Sequence, residues 1–200
     1  MDGHLIVLLP IAGVWLAAGV LADRLPRLDR ARALRRRTGW LLALTLTGLG
    51  LTAAVLAVGL TSAGATPIDR AAAGLGLAVG PALAVAVCTV RRLRRLRAGA
   101  GAFATAPETP APHGLRAAGA HPLIGLPVQV TALATLPPVL SAAGLDLAAD
   151  PRLAGPAVTL GGLAVIAIGV RLALRHNRLA ERALPEATAT SARAARPLHV

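Results

Sequence analysis

Residues able to do chemistry are few in this 200-residue chain, and most stand at the edges of long apolar blocks. Asp146 and Asp150 form a D-x-x-x-D pair, one helical turn apart. Paired carboxylates of this kind hold Mg²⁺ against a diphosphate in prenyl-transfer enzymes, but such a site takes further carboxylates or a phosphate ligand. This pair has no second acidic motif beside it, so helix-end and solvation chemistry is the simpler account. His121 and His176 fall at the ends of two different blocks and would meet if those helices packed side by side. Two imidazoles without a thiol or carboxylate make a poor metal site. Neither a metal nor any other cofactor is expected. Cys88, the one cysteine, excludes an internal disulfide and a cysteine cluster. It lies inside an apolar block and reads as a small hydrophobe.

Gln129 is the most polar residue of the block that contains it, with Thr131, Thr135 and Ser141 nearby. Together with Pro127, Pro137 and Pro138, which free backbone carbonyls in a helix, these residues mark the expected seat of a small-molecule path. Their plainer role is to bond a neighbouring helix or their own backbone. Thr45, Thr47 and Thr52 in an earlier block carry the same two readings. Arg91, Arg92, Arg94 and Arg95 are expected to contact anionic lipid headgroups, as well as fixing topology. No serine nucleophile motif, phosphate loop or nucleotide fingerprint is present.

The elements that must position these residues are helices in a membrane. More than half the residues are hydrophobic, 55%, and only 15% are charged, and the apolar ones come in unbroken blocks. About five transmembrane helices are expected, at 5–22, 40–63, 71–90, 122–145 and 153–170, giving an all-α polytopic bundle. None of the five contains Asp, Glu, Lys or Arg. Ion- and proton-coupled transporters keep such a residue at membrane depth, so the composition argues against coupling. Residues 98–120 and the tail 185–200 are low in complexity and read as disordered cytoplasmic segments, with the last helix stopping at Pro185. Residues 23–38 read as a basic loop, able to lie on the membrane as a short amphipathic helix.

All 21 basic residues are Arg. With the N-terminus outside and the C-terminus cytoplasmic, 19 of them fall inside and only Arg70 and Arg152 outside, which is a strong positive-inside asymmetry. A cleaved signal peptide is the rival for the first block, but the charge follows that block rather than preceding it. The net charge of +12 therefore reads as topology and lipid contact. A nucleic-acid partner is not expected, because only Trp15, Trp40 and Phe103 are aromatic. Arg-only, Ala-rich usage points to a bacterial gene and hence to the bacterial cytoplasmic membrane.

Small residues recur every fourth position at Ala72, Gly76, Gly80 and Ala84, a stripe where two helices can approach closely. A weak repeat relates 83–95 to 163–175 at a separation of 80 residues, which would make blocks two–three and four–five parallel hairpins. The leading expectation is a non-enzymatic membrane protein that works through packing, as an accessory subunit or a homo-oligomer. Its partners would be membrane lipids and another membrane protein or a second copy of itself. The alternatives are a small uncoupled transporter using helix four, and a lipid- or isoprenoid-processing enzyme using Asp146 and Asp150.

Overall fold

The structure is a computed structural model that describes residues 3–62, 66–104, 108–145, 147 and 151–194. Those residues are almost wholly helical, and five of the helices are long and apolar enough to cross a membrane. The chain forms α1 (Gly3–Arg24), a 3₁₀ turn (Leu25–Arg27) and α2 (Ala31–Thr61). A third rod follows, built from α3 (Pro67–Gly74), α4 (Gly76–Ala84), a π-helical segment (Val85–Thr89) and α5 (Val90–Phe103). The fourth rod is α6 (His113–Gly119), α7 (Pro122–Ala134) and α8 (Leu136–Ala142), and the fifth is α9 (Pro151–Ala194).

Local chemistry explains most of these boundaries. The turn into α3 is a capping box: the Thr66 hydroxyl accepts from the Asp69 N–H, and the Asp69 carboxylate accepts from the Thr66 N–H. Pro67 sits in the first turn, where its missing N–H costs nothing. The third rod is not the single helix over 71–90 that its apolar run predicts. It breaks at Leu75 and loosens again at Val85–Thr89, where the Val90 N–H reaches the Val85 carbonyl five residues back. Pro81 lies between the two irregularities and has no N–H to offer the Leu77 carbonyl.

The core lies between α1, α2 and the third and fourth rods. Trp15 is fully buried there, and its Nε1–H donates to Thr52 Oγ1 at 3.2 Å. Thr52 in turn donates to the Gly48 carbonyl at 2.8 Å. The Trp15 ring rests on Gly48 so closely that a Cβ at that position would lie 2.8 Å from its Cε2. Gly48 therefore does not loosen α2; the helix is continuous, and the missing side chain makes a seat. Leu8, Ile11, Leu34, Leu41, Leu75 and Val85 complete this cluster.

Three sequence expectations change. Residues 31–38 are the first turns of α2, not a separate helix on the membrane surface, because Ala31, Leu34 and Thr38 are buried against neighbours. The described part of 98–120 is ordered. α5 runs through to Phe103, and α6 is helical. Residues 109–111 bond to the start of α2: the Ala31 N–H donates to the Thr109 carbonyl at 3.0 Å, and the Ala111 N–H donates to the Asp29 carbonyl at 2.7 Å. Ion pairs Arg30–Glu108 and Arg116–Asp29 flank that bridge. The segment thus supplies the cap that α2 lacks from its own side chains. Finally, α9 passes through Pro185 to Ala194, beyond the stop that the proline predicts.

α9 differs from the other rods. It packs on α6 and α7 at the arginine-rich end, where Leu172 lies against Gly125. Only 6% of its apolar window is buried, so its opposite half stands away from the bundle.

Candidate functional site

The stand-off of α9 leaves two cavities on the fourth rod. The first, about 860 Å³, lies between α4, α8 and α9 and reaches the end of the bundle opposite the arginine clusters. Its wall is apolar, built from residues such as Leu8, Leu77, Val130, Leu133, Pro138 and Val158. Its polar groups are His4, Arg70 and Ser141. His4 Nδ1 is buried without a hydrogen-bond partner among the described residues. Pro81, Pro137 and Pro138 also line the cavity. They have no N–H for the carbonyls of Leu77, Leu133 and Ala134, and these three residues lie in the same wall.

The second cavity, about 760 Å³, lies between α1, α7 and α9 and reaches the arginine-rich end. Leu16, Val20, Leu136 and Ile168 form the apolar part of this open groove, and Asp23, Arg24, Arg27 and Arg171 line its arginine-rich end. Gln129 stands partway along it and donates from Nε2 to the Gly19 carbonyl at 3.5 Å. Leu133 lines both cavities. The two spaces therefore approach the same side chain from opposite ends of the bundle.

The fourth rod holds this position despite its prolines. Pro127 leaves the Leu123 carbonyl without an intrahelical donor. The hydroxyl of Thr89, on the π-helical segment, donates to that carbonyl at 2.8 Å. Thr131 and Thr135 are buried and donate to the carbonyls of Pro127 and Ala132, both at 2.7 Å. Of the polar residues expected on a small-molecule path, Gln129 and Ser141 each line a cavity; Thr131 and Thr135 satisfy their own helix. Thr45 and Thr52 do the same in α2, bonding Leu42 and Gly48.

At the arginine-rich end Asp23 ties α9 to α1. Its carboxylate is 2.8 Å from Arg171, 3.1 Å from Arg27 and 3.4 Å from Arg175. Arg175 also donates to the Asp23 backbone carbonyl at 2.7 Å. One carboxylate therefore serves three guanidiniums, with Arg24 a fourth at the same mouth, and the mouth stays positive. Sequence reasoning passed over Asp23, His4 and Arg70. Asp23 was the detectable one, as a carboxylate at the junction of an apolar block and an arginine-rich segment.

The other candidates fall elsewhere. In the small-residue stripe, Ala72 packs inward, so close that a Cβ on Gly59 would lie 2.4 Å from its own. Gly76 and Gly80 face outward with nothing within 4 Å of a Cβ built there, and Ala84 is half-buried. Arg91, Arg94 and Arg95 are exposed and Arg92 is half-buried. His121 and His176 do meet, with ring centroids 4.9 Å apart. His121 Nδ1 accepts from the Leu123 N–H at 3.2 Å and caps α7, and His176 Nδ1 lies 3.0 Å from the Ala117 carbonyl. Each ring is thus held by its Nδ1, and among the described residues no three His, Cys, Asp or Glu side chains cluster to share a metal ion. Asp146 and Asp150 lie outside the described residues. Compared with known proteins, the chain matches no family model, no curated protein and no solved structure.

Proposed function

We propose that the protein is a small, uncoupled membrane transporter for an amphiphile with an anionic head. The observation that carries this reading is Leu133, shared by two cavities that run toward opposite ends of the bundle. An amphiphile suits them because each joins an apolar wall to arginine at one end: Arg70 in the first, Arg24, Arg27 and Arg171 in the second. The apolar blocks contain no Asp, Glu, Lys or Arg, so nothing at membrane depth is available to couple movement to a proton or cation. The arginine-rich end is assigned to the cytoplasm by the positive-inside rule, with the N-terminus outside. Gln129 and the carbonyls freed by proline offer the head group polar partners along the way.

Reconstitution into vesicles bearing a headgroup-labelled anionic lipid tests this. The wild-type chain should move the label between leaflets faster than protein-free vesicles. Leu133→Trp should stop that movement by filling the shared wall, while Leu133→Ala should keep it. No acceleration by the wild type, or undiminished flux through Leu133→Trp, overturns the proposal.

A second reading has its own support. Gly76 and Gly80 present a bare helix surface with open space before them, where a partner helix can approach closely. A non-enzymatic assembly role, with another membrane protein or a second copy of this chain, uses that surface.

A further inference from the structure

The arginines of the basic end divide into those that pair with a carboxylate and a larger set that does not, and four of the latter share a cleft. Arg27, Arg30, Arg116, Arg171 and Arg175 each have a carboxylate from Asp23, Asp29 or Glu108. Arg32, Arg35, Arg36 and Arg97 have no such partner among the described residues. These four line one cleft of about 400 Å³ between α2 and α5, together with Gly39 and Trp40. The cleft shares no residue with either cavity on the fourth rod.

Its construction depends on two glycines. α2 and α5 run antiparallel here, and each lays an arginine across the other's glycine. A Cβ on Gly39 would lie 3.6 Å from Arg97 Cζ, and a Cβ on Gly101 would lie 3.8 Å from Arg35 Nε. Each glycine thus leaves room for the arginine of the facing helix to pass over it. Arg32 and Arg36 are four residues apart, where like charges repel. Four cations gathered without a counter-charge call for an anion from outside the chain.

We infer that this cleft binds the phosphate headgroup of an anionic phospholipid. Guanidinium forks match phosphate oxygens in shape and charge. Trp40 selects a lipid over a soluble anion. It begins the apolar run of α2 and is 57% exposed, as an indole at the membrane–water boundary should be. Ala43, Leu46 and Gly50 continue the same exposed face into the apolar run, where an acyl chain can lie. The run 91–95 carries as many arginines, but Arg97, just beyond it, is the one that lines the cleft against α2. The site stands whether or not the protein transports anything, and its lipid is held rather than moved.

The test uses the full chain in neutral detergent, titrated with short-chain phosphatidylglycerol, phosphatidylcholine or inorganic phosphate and read by native mass spectrometry. Phosphatidylglycerol should bind at one equivalent, and neither phosphatidylcholine nor phosphate should match it. Arg35→Gln with Arg97→Gln should weaken binding roughly thirtyfold, as two lost surface charges at about 1 kcal/mol each predict. Arg94→Gln with Arg95→Gln removes the same charge outside the cleft and should change binding less than about threefold if geometry matters more than net charge. Gly39→Leu, which fills the cleft without altering charge, should also weaken it. Equal losses from the two arginine pairs reduce the effect to net charge and overturn the proposal. So does phosphate binding as tightly as the lipid, or full binding by Gly39→Leu.

Discussion

The Thr89 hydroxyl donates at 2.8 Å to the Leu123 carbonyl, the acceptor that Pro127 leaves without a helical partner. Two helix defects thus repair each other: the π-helical segment of the third rod places Thr89, and Thr89 satisfies the break in the fourth. In hydrocarbon an orphaned carbonyl is expensive, so this bond stabilises the rod on which both cavities depend. Thr89→Val keeps the shape and removes the donor. It should destabilise the protein by about 1–3 kcal/mol, as for a buried polar group left unpaired. Thr89→Ser keeps the hydroxyl and should cost less. Thermal unfolding of both variants in detergent micelles checks the difference, and equal midpoints would remove the bond from the account.

Gly48 gives a sharper sign test. In an open helix Gly→Ala stabilises by about 1 kcal/mol. Here the new Cβ would lie 2.8 Å from the Trp15 ring, so Gly48→Ala should destabilise and shift the Trp15 fluorescence. Gly50, two residues on in the same helix, has nothing within 4 Å. Gly50→Ala should follow the propensity rule and stabilise or stay neutral. Opposite signs for neighbouring, chemically identical substitutions are the expected outcome of unfolding measurements on the pair.

These residues mark how far the sequence could be read. Five apolar blocks and their lengths identify five helices that can span a membrane, because that signal depends on composition alone. Contacts depend on rotation about each helix axis, which a charge-free Ala/Leu/Val block barely encodes. The small-residue stripe was legible as a pattern, yet Ala72 turns inward while Gly76 and Gly80 turn outward, because the rod breaks at Leu75. Gln129 was legible as the polar residue of its block and does line a cavity. The cavities themselves were not, since they arise from the divergence of α9, which no local pattern records. The ordering of the described part of 98–120 was equally hidden: its backbone bonds to Asp29 and Ala31 are long-range and use no characteristic side chain.

The Asp23 latch should control that divergence. Asp23→Asn keeps the shape but removes the charge that holds Arg171 and Arg175 of α9. The loss should be about 1–2 kcal/mol, because the network is partly open to solvent. Its effect should be local. Hydrogen exchange over residues 168–178 should quicken by about tenfold, the kinetic equivalent of such a loss, while the α1–α2 core around Trp15 stays protected. Uniform acceleration across the chain would mean that Asp23 supports the whole fold rather than α9.

Gly76 and Gly80 separate packing within the chain from packing between chains. Both have open space where a side chain would go, whereas a Cβ on Gly59 would collide with Ala72 at 2.4 Å. Gly59→Leu should therefore unfold the protein or lower its midpoint sharply, by an overpacking cost of about 1–3 kcal/mol or more. Gly76→Leu with Gly80→Leu should not lower the unfolding midpoint of one chain, because both sites are open and leucine is the better helix former. If the bare stripe joins subunits or a partner helix, the same double variant should lose the assembled species in a crosslinking or mass measurement from native membrane. A stable monomer that behaves identically before and after the substitution would leave that face to lipid, and the cavities along the fourth rod would then carry the function alone.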